Sequence, residues 1–409
     1  MATHREYGGF HIDTIGRAVR KTLLNENITL PLALAATYLS QPSSAATLTK
    51  LLHYITTLGI NPKNLNLPKL ARLALYLGAT GLALTTNDAL NKWVANNWTR
   101  NSRGEWVDWS KEIVLVTGGS SGIGQHIVQG LLKRNPRTTI VIVDFAPLSW
   151  TPPEGMLGKT LHYYQADLSK ADVVRDVCAH IRKEVGHPTV LVNNAGICRG
   201  LTIADGTYAD TDATLRTNLT APFLLIKESL PHMVSTNHGH IVNISSMSAV
   251  VPPPEMVDYA ASKAGLFAMH EGLSLELKYR YKAPKVRLTC LLPNFIRTPL
   301  LTGKARHPKQ PQFFAPLLDV ETVSERVIEA LYSGYGGVHY LPGIMRYITM
   351  LVGALLQLIF GLENDANALL QKGGPEWLFR TLVFSTTRNM DVEFKGRQKI
   401  DETGGLKAN

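Results

Sequence analysis

The stretch IVLVTGGSSGIG, residues 113–124, decides how the rest of the chain is read. Its first half is a run of aliphatic and β-branched residues, the composition of a strand buried on both faces. Glycines then stand at 118, 119, 122 and 124, ahead of the helix-like segment QHIVQGLLKR. Glycine permits a tight turn and lets backbone approach a pyrophosphate, and the following helix aims its N-terminal N–H groups at that anion. Strand, glycine turn and helix in that order predict a dinucleotide site on a parallel sheet.

Outward from this turn, β-branched runs recur as TTIVIVD (138–144), TVLVNN (189–194), HIVNIS (240–245) and KVRLTCLL (285–292), separated by helix-length segments. ETVSERVIEALYSGYGGVHYLPG (321–343) adds a helix and a final strand. The alternation predicts an α/β fold over residues 111–343, a parallel sheet covered by helices on both faces. The second strand ends in Asp144, 20 residues past Gly124. A carboxylate there accepts hydrogen bonds from ribose hydroxyls and repels a 2′-phosphate, and neither Ser121 nor Phe145 offers that phosphate a cation. NAD is therefore favoured over NADP.

Composition excludes several classes. The chain has 409 residues, 45% hydrophobic and 18% charged, which fits neither a disordered nor a fully membrane-embedded protein. The net charge of +10 is spread along the chain without basic runs. No zinc-finger spacing or RNA-binding signature occurs, so neither a nucleic-acid partner nor a metal is expected. Three cysteines, Cys178, Cys198 and Cys290, with no CxxC, fit a reducing compartment rather than a disulfide framework.

Two extensions flank the α/β region. In residues 1–110, FHIDTIGRAVRKTLL places Ile12, Ile15, Val19 and Leu23 on one helical face, with Arg17, Arg20 and Lys21 off it. That pattern suits a helix lying on a membrane. ITLPLALAATYL (28–39) and LALYLGATGLAL (73–84) are apolar but shorter than the roughly 20 residues a span needs. They are read as shallow insertions, a hairpin or buried packing helices. In residues 344–409, the uncharged run 347–362 has 16 residues, about 24 Å as helix. A monotopic membrane helix and a buried C-terminal helix both fit it. The tail from Arg388 is polar.

Several motifs now fall into one order. TGGSSGIG is similar to the TGxxxGxG of the short-chain dehydrogenase/reductase family. NNAG (193–196) resembles its strand-four motif, and YAASK (259–263) its YxxxK, with Ser246 placed 13 residues before Tyr259. The resemblance covers roughly residues 111–343 and implies a doubly wound Rossmann fold with helical, apolar N- and C-terminal extensions. It also implies cofactor contacts from Gly118, Ser120, Ser121, Gly122, Ile123 and Gly124. Asp167 would face the adenine edge with Leu168 beside it, and Asn194 would line the adenosine side. In PNFIRTPL (293–300), Ile296 and Thr298 would hold the nicotinamide carboxamide. Lys227 fits better as a solvated helix lysine. Asn294 stands where the family usually has Gly, and PPP (252–254) lies between Ser246 and Tyr259; both bear on pocket shape.

The cofactor carries the hydride and the protein manages the proton. Free Tyr ionises near pH 10, and Lys263 lies one helical turn from Tyr259. A cation about 4 Å away is worth roughly 4 kcal/mol at intermediate dielectric, enough to lower the Tyr259 pKa by up to about three units. Tyr259 is thus expected to serve as general base or acid. By the family pattern, Lys263 would also bind the nicotinamide ribose, Ser246 would hold the substrate oxygen, and Asn218 would hold a water linking Lys263 to solvent. Asn218 also fits as a structural helix-kink residue.

The apolar extensions suggest a membrane surface as partner and a lipophilic alcohol as substrate: a retinoid, steroid, fatty alcohol or terpenoid. The arrangement resembles the membrane-associated retinol and hydroxysteroid dehydrogenase branch. It implies attachment at the endoplasmic reticulum or a lipid droplet with the catalytic domain facing the cytosol, and a homodimer or homotetramer. Two other readings stay open: an NADPH-dependent carbonyl reductase of specialised metabolism, and a non-catalytic membrane scaffold.

Overall fold

The computed structural model describes residues 12–57, 66–99, 106–298, 300, 317–343 and 345. The C-terminal apolar run and the basic stretch 301–314 lie outside the described residues. The chain divides into two compact units, Ile12–Lys92 and the remainder.

The first unit is helical: α1 (Ile12–Lys21), α2 (Glu26–Leu39), α3 (Ala45–Thr57) and α4 (Leu67–Ala95), which runs on past the division. Asn25 caps α2 through its side chain. The buried residues are small. On α2 they are Thr29, Ala33 and Ala36; on α4 they are Ala71, Ala74, Gly78 and Gly81. A Cβ at Gly81 would collide with Leu24 O, and one at Gly78 would lie 2.6 Å from Leu30 Cδ2. Large apolar side chains face outwards instead: Leu34 is 73% exposed and Tyr76 69%, with Leu32, Tyr38, Leu73, Leu75 and Leu82 also exposed. On α1, Ile15 and Leu23 beyond its end are exposed, Asp13 is buried, and Arg20 pairs with Asp88 at 2.7 Å. Among the described residues no helix is long and apolar enough to cross a membrane.

The second unit is built on a parallel sheet of seven strands: β1 (Ile113–Thr117), β2 (Thr139–Asp144), β3 (Leu161–Gln165), β4 (Val190–Asn193), β5 (Gly239–Ile244), β6 (Val286–Pro293) and β7 (Gly337–Leu341). Their order is β3-β2-β1-β4-β5-β6-β7. The helices are α5 (Gly122–Arg134), α6 (Ala171–Glu184), α7 (Tyr208–Leu215), α8 (Ala221–Thr236), α9 (Val257–Tyr279) and α10 (Val320–Ser333). Strand alternation divides the core. Val114, Val116, Ile140 and Ile142 pack with Ile127, Leu131, Val323 and Val327 of α5 and α10. Leu115, Val141, Val143 and Leu191 pack with α6, α8 and α9 through Val174, Leu225 and Leu273. The order reverses between β1 and β4, so the crevice lies beyond the carboxyl ends of those strands.

The sheet unit starts earlier than the sequence boundary near 110. Asn96 donates to Gly336 O at 3.0 Å and accepts from Gly336 N at 2.7 Å, and its carbonyl receives Arg287 Nη1 at 3.3 Å. Trp106 and Trp109 are buried in the core, Trp109 stacked on Tyr332 with ring centroids 4.2 Å apart.

Candidate active site

β1 delivers the glycine turn to the reversal point. Gly118 has φ +66°, and a Cβ there would lie 2.9 Å from Ala195 Cα. A Cβ at Gly124 would collide with Gly118 O. The turn is held from β4. Asn194 Nδ2 donates to Thr117 O (2.9 Å) and Gly118 O (3.1 Å), and Thr117 Oγ1 accepts the N–H groups of Asn194 and Ala195 at 3.0 Å. Asn194 thus braces the turn with its amide nitrogen. No side chain caps α5 at Ser121, so the N–H groups of its first turn are left for an anion. Ile123, next in that turn, packs against the core.

Asp144 and Asp167 are both held by hydrogen bonds from neighbouring groups. Asp144 accepts Ser120 N at 2.8 Å and Ala146 N at 3.0 Å. Asp167 Oδ1 accepts the Ser169 N–H (3.0 Å) and hydroxyl (2.6 Å). Its Oδ2 is buried and accepts no hydrogen bond among the described residues, with Lys170 Nζ 4.0 Å away. Leu168 is buried beside it. Lys227 is exposed on α8, apart from this constellation.

On the other side of the crevice, β5 ends at Ile244 and Ser246 follows, its Oγ accepting Ser248 N at 3.1 Å. Tyr259 and Lys263 sit in the first two turns of α9. Lys263 is buried; its Nζ donates to Ile244 O at 2.9 Å and lies 5.6 Å from the Tyr259 ring centroid. Ser245 Oγ donates to Lys263 O at 2.9 Å, pinning α9 to the strand end. Asn218 lies in a π-helical turn, Arg216–Thr220, between α7 and α8. Its Oδ1 accepts Ile197 N at 2.8 Å, and its Nδ2 donates to Ile197 O at 2.8 Å and Ser262 Oγ at 3.1 Å. A Cβ at Gly196 would lie 3.3 Å from Asn218 Oδ1 and 3.4 Å from Lys263 Nζ, so these two groups face one glycine. Ile296 is buried and bridged to Leu318, and Thr298 N donates to Ile296 O at 2.8 Å. Asn294 needs no left-handed backbone; its N–H donates to Leu341 O at 2.8 Å.

One expectation reverses. Burial pushes the Tyr259 phenol above its ordinary value, the Cys198 thiol adds to this, and a hydrogen bond with Ser246 opposes it. The lysine does not prevail, because its Nζ is drawn to Ile244 O and burial brings its own pKa down to about 8. Proximity in sequence fixed the helical face but not the reach of the cation.

Sequence motifs gave no sign of Ile197, Ser245, Ser262, Ser149 or Trp150, because each acts through a contact with no fixed spacing. Ser149 and Trp150 donate to the carbonyls of Ser120 and Gly119.

The cradle fits a nicotinamide dinucleotide. It offers a glycine turn that excludes side chains, an uncapped helix N-terminus, and a buried carboxylate oxygen that accepts no hydrogen bond among the described residues. The comparisons agree. The short chain dehydrogenase family model matches residues 112–309. Dehydrogenase RED2 of Cochliobolus heterostrophus is 38% identical over 54% of this chain and 81% of its own. Human short-chain dehydrogenase/reductase 3 is 32% identical over 61% of this chain and 81% of its own. Human 17-beta-hydroxysteroid dehydrogenase 13 is 28% identical over 64% and 82%. The chain belongs to the short-chain dehydrogenase/reductase family. It is an oxidoreductase acting on CH–OH groups with NAD(P).

Proposed function

We propose that this enzyme interconverts a lipophilic alcohol and its carbonyl, with NAD preferred and Tyr259 as general acid/base. The observation that carries the substrate class is the apolar setting of the phenol: Tyr259 packs with Cys198, Met256, Phe295 and Leu300. Met247, Val250 and Val251, on the segment after Ser246, form a neighbouring apolar cluster. A surface of this kind gains by desolvating an apolar substrate and leaves a charged one unpaired.

Gly118, Ser120, Ser121, Gly122, Ile123 and Gly124 would hold the pyrophosphate. Asp144, Asp167, Leu168 and Asn194 would hold the adenosine end, and Lys263, Ile296 and Thr298 the nicotinamide end. The bound cofactor supplies the hydride chemistry. Ser246 orients the substrate oxygen toward Tyr259, which as phenolate takes the hydroxyl proton on oxidation and as phenol returns it on reduction. Lys263, cationic at neutral pH with a pKa of about 8, does not offset the burial of Tyr259 alone and would favour the phenolate only together with the positive charge of the oxidised cofactor. Asn218 fixes Ile197 and would hold a water that links Lys263 to solvent. NAD preference rests on Asp144, whose carboxylate is fixed by two N–H groups and has no cation beside it among its hydrogen-bond partners.

The helical unit supports a membrane setting. Residues 12–92 carry eight Lys and Arg against three Asp and Glu, and small residues inside with Leu and Tyr outside is the packing of helices in lipid. Attachment to the cytosolic face of the endoplasmic reticulum or a lipid droplet follows from this reading. A homodimer would use the outer faces of α8 and α9, where Phe223, Leu275 and Tyr279 are exposed.

A panel of retinoid, steroid, fatty and terpenoid alcohols and their carbonyls, run with both cofactors in detergent or vesicles, tests the proposal. Turnover with NAD that Tyr259→Phe abolishes is the expected result. Turnover confined to small hydrophilic alcohols, or undiminished in Tyr259→Phe, would sink it.

A further inference from the structure

We infer that Ser149 and Trp150 are positioning residues for the cofactor, braces that hold the glycine turn in its anion-binding orientation. They lie on the loop after β2, 29 and 31 residues from the positions they touch. Ser149 donates twice to Ser120 O, from Oγ at 2.5 Å and from N–H at 3.2 Å. Trp150 Nε1 donates to Gly119 O at 3.2 Å, and its ring packs on the core beneath the turn. Ser120 closes the loop from the other side, its Oγ donating to Ala146 O at 2.8 Å.

The consequence follows from peptide planarity. In a trans peptide the C=O and the next N–H point in opposite directions. Holding Gly119 O toward Trp150 turns Ser120 N–H the other way, where Asp144 Oδ2 takes it at 2.8 Å. Holding Ser120 O toward Ser149 likewise turns Ser121 N–H away from the loop, to the side of the uncapped α5 N-terminus. Glycine-rich backbone has little steric preference against a flipped peptide. Such a flip would present a carbonyl to the pyrophosphate in place of an N–H. Ser149 and Trp150 remove that alternative before the cofactor arrives, which is preorganisation in the ordinary sense.

The brace acts on the pyrophosphate end, so it should affect NAD, NADP and ADP-ribose alike. The carboxylate at Asp144 should instead affect their ratio. Calorimetry of the full-length protein with NADH, NADPH and ADP-ribose separates the two. Ser149→Ala and Trp150→Phe each remove one side-chain donor and keep most of the packing. Each should raise all three Kd values by roughly 5- to 10-fold, the double variant by more, with kcat at saturating cofactor within about 2-fold. Ser149→Thr, which retains a hydroxyl, should restore the wild-type Kd. Unchanged Kd values in the double variant would overturn the inference. So would a fall in Tm and kcat together with no change in Kd, since that marks a structural role alone. Should Trp150→Phe fail to fold, Ser149→Ala decides by itself, because Ser149 is exposed and its N–H bond to Ser120 O remains.

Discussion

Asn218 grips both polar groups of Ile197: its Oδ1 accepts the Ile197 N–H and its Nδ2 donates to the Ile197 carbonyl, each at 2.8 Å. This side chain supplies the hydrogen-bond partners of a loop residue four positions past the end of β4. The next residue, Cys198, is thereby held against Tyr259. Asn218→Ala would leave the Ile197 groups without partners, at a cost of about 2–4 kcal/mol. A shift of the 197–198 segment would also lower kcat on the order of 100-fold. Urea unfolding and steady-state kinetics on one preparation check both.

Tyr259→Phe removes the proton carrier and leaves the ring packed on Met256 and Phe295. A loss of roughly 100- to 10,000-fold in kcat is expected, with NADH affinity unchanged. In the cofactor-free protein, burial holds the phenol above its usual range. Difference absorbance at 295 nm, read against Tyr259→Phe, should therefore show no Tyr259 ionisation below about pH 10. Binding of oxidised cofactor brings positive charge and should move that ionisation down.

Asp144→Ser removes the charge and keeps a hydroxyl acceptor for Ser120 N–H or Ala146 N–H. The ratio of kcat/KM for NAD over NADP should fall by about 10- to 100-fold, mostly by improvement with NADP. Parallel initial-rate measurements with the two cofactors read this directly.

His240 and His270 are buried and held neutral, with pKa values down to about 3 and about 4; burial is the leading cause for both. Arg287 adds to the effect at His240. Their folded values lie below the ordinary 6.5, so the unfolded chain binds more protons in acid. The stability they contribute is fully present above pH 6.5 and is lost as pH falls toward 4 and then 3. Each adds a slope of about 1.4 kcal/mol per pH unit in that window. Urea melts at pH 7, 6 and 5 should show the decline, and His270→Gln should make it shallower.

The outward Leu and Tyr faces of the helical unit should bind vesicles that contain anionic lipid. Leu34→Glu with Tyr76→Glu places charge on two exposed apolar positions and disturbs no buried contact. Vesicle flotation should fall by at least about 10-fold, whereas high salt alone should weaken it less. Flotation equal to wild type in the double variant would remove these faces from the membrane reading.

Much of this was legible beforehand, for physical reasons. β1, β2, β4, β5 and β6 are almost wholly buried and stand out as runs rich in β-branched and aliphatic residues. β3, LHYYQ, escaped notice because it is an edge strand whose tyrosines hydrogen-bond outward, Tyr163 to Ala146 O and Tyr164 to Glu184. Ser246, Tyr259 and Lys263 could be named because their order and spacing resemble the motifs of the short-chain dehydrogenase/reductase family. The orientation of the lysine could not, since Ile244 O competes for it only once β5 and α9 have packed. The small-residue seam of α2 and α4 hid in plain view: apolar runs show which segments avoid water, but not which side of each helix meets its neighbour.

The π-helical turn at Arg216–Thr220 sets a phase as well as a kink. It accommodates one residue more than an α-helical turn, and each residue advances a helix by about 100°. Ala213 and Thr214 before it, and Leu225, Ile226 and Met233 after it, are all buried. Their apolar patterns are consequently out of step with one another as written in the sequence. Losing a single codon between 216 and 220 would bring the two patterns into one continuous α-helical rhythm and remove the wide turn that carries Asn218. The extra residue therefore serves the placement of Asn218 against Ile197 and Ser262, and the packing of the two helices does not require it.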